Sequence, residues 1–144
     1  AQGLSVHESF NTFVAQVAEV TLAEDGSYSV DRVVCAVDCG IAVTPDVIRA
    51  QMEGGIGFGL SSITRESISL KNGLVEQDNY PNYRPLRIDE MPRIEVHIMP
   101  SNEPPKGVGE PGTPPIGPAV ANALRRLTGT PITRLPIGAR VSLT

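Results

Sequence analysis

T-F-V-A-Q-V-A-E-V-T-L, residues 12–22, and S-V-D-R-V-V-C-A-V-D, residues 29–38, stand on either side of Asp25-Gly26. Both runs are rich in β-branched and apolar residues, and Asp-Gly supplies the positive φ angles of a tight hairpin turn, so the two read as paired antiparallel strands. The centre of the second run, Val33 to Val37, is apolar at every position. A strand of that kind is expected inside a sheet and covered on both faces.

Working outward, Thr44-Pro45-Asp46 predicts a helix start, with Thr as N-cap, Pro in the first turn and Asp at the positive end of the dipole. Val47, Ile48, Met52 and Ile56 follow at helical spacing. The same helix carries Gly54, Gly55, Gly57 and Gly59, which together cost it roughly 2–4 kcal/mol against alanine. Close approach of another backbone or of a ligand, or tight packing on the sheet, would offset that cost. Ser62 to Leu70 alternates and ends at Lys71-Asn72-Gly73, which predicts a further strand and turn. Glu76 to Pro92 is polar and proline-broken, a surface excursion. Arg93 to Met99 alternates again, with Ile94, Val96 and Ile98 buried and His97 on the polar face. A last helix opens near Pro115, runs through Ala119, Val120, Ala123, Leu124 and Leu127, and stops at Gly129 before Pro131. Ile132 to Ile137 reads as extended. The order β-β-α-β-β-α predicts an α+β fold, a two-layer mixed sheet with its helices packed on one side.

The chain of 144 residues suits a single domain, residues 1–144. No run approaches the ~18 apolar residues of a membrane span. A net charge of −4 argues against general nucleic-acid binding. Every Asp and Glu lies at or before Glu110, whereas Arg125, Arg126, Arg134 and Arg140 follow it, a distribution that reads as solvated surface, with an acidic partner or an anion as the alternative. Cys35 and Cys39, four residues apart in extended chain, lie about 13 Å apart, too far for a disulfide. With only His7 and His97 besides, a zinc site is not expected, and both thiols read as packing residues.

Between the last strand and the last helix lies E-P-P-K-G-V-G-E-P-G-T-P-P-I-G-P, residues 103–118. Proline fixes φ and glycine reaches angles closed to other residues, so this loop holds one unusual shape and aims Glu110. Gly107 to Gly112 matches G-x-G-x-x-G literally. The dinucleotide reading fails, because Pro100 to Lys106 separate the strand from the first glycine and Pro111, Pro114 and Pro115 forbid a helix at the third. Gly55-Ile56-Gly57-Phe58-Gly59 fails too, since it lies inside a helix. Neither histidine has a discernible partner for a Ser or Cys nucleophile. Glu110 could pair with Glu53 or Asp38 as a carboxylate couple, cap the following helix, or pair with an arginine.

Lys106-Gly-Val-Gly-Glu-Pro-Gly-Thr-Pro-Pro115, followed by Pro118-Ala-Val-Ala-Asn-Ala123, resembles the C-terminal signature of the molybdenum hydroxylases, the xanthine dehydrogenase and aldehyde oxidoreductase family. Gln51-Met-Glu-Gly-Gly55 resembles a second segment of the same domain. Val34-Cys-Ala-Val-Asp-Cys-Gly40 is similar to the large (beta) subunit of isoquinoline 1-oxidoreductase. The resemblance spans nearly all of the chain in one order, and it implies a C-terminal piece of a molybdenum cofactor-binding domain.

What it implies is specific. The cofactor would be molybdopterin carrying molybdenum, in the cytosine dinucleotide form, with the metal held by the pterin and not by side chains. Glu110 would be the general base on the molybdenum-bound hydroxyl, and Gln51 and Gly109 would contact the cofactor. The reaction would oxidise an N-heteroaromatic compound or an aldehyde with water as oxygen source. Partners would be the remainder of the large subunit, an iron–sulfur small subunit and a small-molecule substrate. Family large subunits are several times longer, so the fragment is expected to bind no cofactor and to be inactive alone, in a bacterial cytoplasm or periplasm. The alternative is a free-standing structural or partner-binding module that kept the fold.

Overall fold

The computed structural model describes residues 1–142. Its elements run β1 (Gln2–Ser9), β2 (Thr12–Leu22), β3 (Tyr28–Asp38), α1 (Pro45–Thr64), β4 (Leu70–Lys71), β5 (Leu74–Val75), β6 (Arg93–Ile98) and α2 (Ile116–Thr128). The main sheet has the order β1-β2-β3-β6; β1, β2 and β3 are antiparallel neighbours, and β6 joins β3 in parallel. The predicted α+β fold with a mixed sheet and both helices on one face is what forms. α2 lies across β1 and β2, while α1 lies against β6 and α2.

Three expectations are corrected. A strand absent from the predicted order, β1, precedes the hairpin and pairs Leu4 with Val17 and Val6 with Ala15. Its turn, Phe10-Asn11, takes positive φ at both residues without any glycine. Ser62 to Leu70 is not a strand. α1 continues to Thr64, whose hydroxyl donates to the Leu60 carbonyl, and pairing resumes only at Leu70–Lys71 against Leu74–Val75. Ile132 to Ile137 forms no strand; the C-terminal segment is held by Ile137 N–H to Ile63 O and by a bridge between Ser27 and Arg140.

The core sits between the sheet and the helices. Val14, Ala18 and Val20 of β2 and Val33, Cys35 and Val37 of β3 meet Met52, Ile56 and Leu60 of α1 and Ile116, Val120 and Leu124 of α2. The interior position predicted for β3 holds, but its two faces differ: Val33, Cys35 and Val37 are buried, whereas Val34 and Ala36 are half-covered. The register explains this. On the face away from the helices, Leu4, Val17 and Val34 lie in one row and Val6, Ala15 and Ala36 in the next. Leu4 and Val6 are 57% and 64% exposed, and no element of the described chain covers this apolar face. Charge borders it: Arg32 pairs with Glu19 in the adjoining row and reaches Glu95, which ends the Leu4–Val17–Val34 row on β6.

α2 ends as predicted, with Gly129 in the left-handed conformation and its N–H on the Arg125 carbonyl. At α1, Thr44 occupies the N-cap position but its side chain makes no capping hydrogen bond.

Candidate active-site loop and cleft

The Gly/Pro loop crosses from the end of β6 to the start of α2, fastened by backbone bonds at its entry. Ile41 N–H donates to Glu103 O at 2.9 Å, and Lys106 N–H donates to Cys39 O at 2.8 Å. The Lys106 ammonium then lies 5.9 Å from the centre of the Phe13 ring, a cation–π distance. At the exit the chain turns: Thr113 N–H donates to Glu110 O at 2.9 Å, closing Glu110-Pro111-Gly112-Thr113 into a β-turn. Pro111 and Gly112 are buried, and Glu110 at the head of the turn is exposed.

The glycines of α1 explain why the helix tolerates them. A methyl carbon at Gly55 would lie 3.2 Å from Gly112 C and Thr113 N, and one at Gly59 would lie 2.7 Å from Thr113 O and 2.6 Å from the Ile116 side chain. Met52, Ile56 and Leu60 turn one face of the helix to the sheet, and the face carrying Gly55 and Gly59 packs against the Glu110 turn. Gly57 gives room to the Met91 side chain. Gly54 differs: a methyl there meets nothing within 4 Å. It opens on a cleft of about 440 Å³ lined by Gln51, Gly54, Gly55, Phe58, Gly109, Glu110, Thr113 and Pro114.

That cleft gathers Gln51, Gly109 and Glu110, the residues singled out from the sequence. Gln51 stands exposed in the second turn of α1, and a methyl at Gly109 would also meet nothing within 4 Å. The backbone N–H groups of Gly107, Val108, Gly109 and Glu110 donate to no carbonyl among the described residues. Of these, Gly109 and Glu110 line the cleft. Glu53, considered as a partner for Glu110, lines a neighbouring cleft with Phe58, Tyr80, Tyr83, Pro85 and Met91, and Asp38 instead accepts a hydrogen bond from Gly40 N–H. The structure does not bring either into the Glu110 cleft.

One residue of this region gave no signal in the sequence. Gln16 is wholly buried in β2, and its Nε2 donates to Gly112 O at 2.8 Å across 96 residues of sequence. Among the described residues its Oε1 accepts no hydrogen bond, an omission that costs about 1–3 kcal/mol in a buried place, and the carboxamide also interacts with the Cys35 thiol. The hydrophobic pattern of β2 treats position 16 as one more alternating site, so only the tertiary contact reveals it. Beside it, burial pushes the Cys35 thiol up to about 11. Desolvation raises the Cys39 thiol as well. Both are free and buried, as the packing reading expected.

Residues 2–92 match the model of the molybdopterin cofactor-binding domain. The chain is 39% identical over 138 residues to isoquinoline 1-oxidoreductase subunit beta of Brevundimonas diminuta, covering 95% of this chain and 18% of that protein. It is 37% identical over 112 residues to the membrane-bound aldehyde dehydrogenase [pyrroloquinoline-quinone] of Gluconacetobacter polyoxogenes, covering 78% of this chain and 14% of that one. That name carries a different cofactor from the one the family model names. Among solved structures, quinoline 2-oxidoreductase of Pseudomonas putida 86 superposes with a TM-score of 0.79 at 21% identity, over 89% of this chain and 18% of that one; it shows a shared fold. The chain thus spans less than a fifth of the length of these relatives. From the family match and the arrangement of its loop and glycine-bearing helix, the chain belongs to the molybdopterin cofactor-binding domain family of molybdenum hydroxylase large subunits.

Proposed function

We propose that this chain forms one wall of a molybdopterin site within a longer oxidoreductase subunit, and that Glu110 is the general base there. The observation that carries the reading is the convergence of Gln51, Gly109 and Glu110, from two distant segments, on one cleft. The residues fit such a ligand. The backbone N–H groups of Gly109 and Glu110 offer donors to its acceptor atoms, the open backbones of Gly54 and Gly109 admit close approach, and the Gln51 carboxamide offers both a donor and an acceptor. When bound, the group supplies the two-electron oxidant and activates a water-derived oxygen for attack on an electron-poor carbon.

The protein's own part is proton handling and positioning. A base must stand within about 2.6–3.2 Å, heavy atom to heavy atom, of the group whose proton it takes, and the closed turn sets the Glu110 backbone on the cleft rim within a side chain's reach of the ligand. Glu110 Oε accepts the proton of the attacking hydroxyl. Gln51 and the loop backbone hold the ligand in register with that carboxylate. The substrate is an N-heteroaromatic compound or an aldehyde, and the pterin is in its cytosine dinucleotide form.

The exposed apolar sheet face carrying Leu4 and Val6 supports docking onto the remainder of the large subunit. Electrons then leave through an iron–sulfur small subunit. Alone, the 144-residue chain retains no cofactor and turns nothing over, because one wall does not enclose a site.

The test is Glu110→Gln in the full-length subunit, assayed on a panel of N-heteroaromatics and aldehydes with molybdenum measured by mass spectrometry and pterin and quinone by extraction. Turnover should fall about 10²–10⁴-fold with unchanged molybdenum and pterin. Full activity in this variant, or a purified enzyme that carries quinone in place of molybdenum, would overturn the reading.

A further inference from the structure

Glu110 is held by a turn, and the turn is held by something. On one side stands the backbone of α1: a methyl at Gly112 would lie 3.2 Å from Met52 Cα and Met52 O. Within the turn, Pro111 fixes φ and the Thr113-to-Glu110 hydrogen bond closes the ring. From beneath, the single polar tie between turn and sheet among the described residues is Gln16 Nε2 to Gly112 O. Van der Waals contact with α1 limits sideways motion. Lifting the turn off the sheet exposes the buried Pro111 and Gly112 and breaks the Gln16 bond, the one directional contact that holds the turn to β2 among the described residues.

The site of this glutamine makes the tie informative. Gln16 lies between Val14 and Ala18 on the buried face of β2 and pairs across to Cys35. An aliphatic side chain would satisfy that surface fully. The carboxamide instead leaves Oε1 without a partner among the described residues, interacts with the Cys35 thiol beside it, and makes one bond out of the sheet, to the residue two positions after Glu110. A buried polar group kept at such a cost is explained by what its bond to the loop achieves, since a contact with a thiol needs no carboxamide.

We propose that Gln16 is a positioning residue for the Glu110 carboxylate, acting through the Gly112 carbonyl. The inference rests on the reading of Glu110 as base. Displacing a catalytic group by about 1 Å can cost 10²-fold in rate, so loss of the tie acts on turnover more than on binding.

The experiment uses the full-length subunit with Gln16→Met and Gln16→Leu, which keep bulk without a donor, and Gln16→Glu, which keeps length and, protonated in this buried place, an O–H donor. Hydrogen exchange of the 107–114 peptide, molybdenum content, and kcat and KM on the substrate panel are read together. In Q16M and Q16L the loop peptide should exchange at least about tenfold faster while α1 and β3 peptides stay protected. In both, kcat should drop about 10–100-fold with KM and molybdenum unchanged, and Q16E should restore most of kcat. Wild-type loop exchange and kcat in Q16M and Q16L, with E110Q inactive, would overturn the positioning role alone. An active E110Q would overturn the base reading on which the role depends, whatever the loop exchange shows.

Discussion

Alanine at Gly54 and alanine at Gly59 should move stability in opposite directions, although both substitutions are made in the same helix. At either site alanine removes glycine's backbone entropy, which favours the helix by about 0.5–1 kcal/mol. At Gly54 nothing opposes that gain, since the new methyl meets no atom within 4 Å. At Gly59 the methyl carbon would stand 2.7 Å from Thr113 O and 2.6 Å from Ile116 Cγ2. The isoleucine terminus can rotate, but the carbonyl belongs to the Glu110 turn and cannot yield without moving it. Overpacking of that kind costs about 1–3 kcal/mol, which exceeds the propensity gain. Urea unfolding of the chain followed by far-UV circular dichroism reads the difference. With a urea slope of about 1–3 kcal/mol per molar, G54A should raise the midpoint and G59A lower it, each by roughly 0.3–1 M. In the full-length subunit G54A should also weaken cofactor retention, because its methyl projects into the Gln51–Glu110 cleft. A G59A protein as stable as the wild type, or a G54A protein less stable, would refute the account of why this helix carries glycines.

The remaining predictions concern pH. Desolvation alone would raise the Glu66 carboxyl, but hydrogen bonds from Ser61, Ser62 and Tyr83 outweigh it and hold it below its ordinary 4.5. Its folded-state value is depressed, so its contribution is present above 4.5 and is lost as pH falls through the lower folded value. Hydrogen exchange should show the 76–92 excursion loosening from the end of α1 in acid, and Glu66→Gln should flatten that dependence; an identical acid profile in both proteins would reject the link. On the alkaline side, burial raises Cys35 from 9.0 to about 11 and Tyr28 from 10.0 to about 12. Raised values contribute stability that is complete below the unfolded values and disappears as pH climbs through the folded ones. Melting temperature should therefore decline from pH 9 upward, and Cys35→Val should delay the onset; equal alkaline slopes in the two proteins would count against it.

The legible parts of the fold were those where local and global signals agree. Asp25-Gly26 between two β-branched runs marked the hairpin, and the Thr44-Pro45-Asp46 start and the Gly129 stop marked the helices, all close to where they form. β1 escaped notice because its apolar residues, Leu4 and Val6, face away from the core while Gly3, Ser5, His7 and Ser9 face inward. Its turn also lacks the glycine that usually announces one. Ser62 to Leu70 misled for the opposite reason. Its alternation suited a strand, yet Thr64 satisfied its hydroxyl by bonding back to Leu60 within the helix.

The sequence by itself determined the strand–helix periodicities, the stiffness of the Gly/Pro loop and the identity of the carboxylate it carries, since each follows from residue type and spacing. Only the tertiary structure decided what that loop rests on. Packing of Gly55 and Gly59 against the turn, the opening at Gly54 and the reach of Gln16 to Gly112 link segments far apart in the chain. Contacts of that kind depend on how layers stack, and periodicity along one segment carries no information about which residue of another will lie across from it.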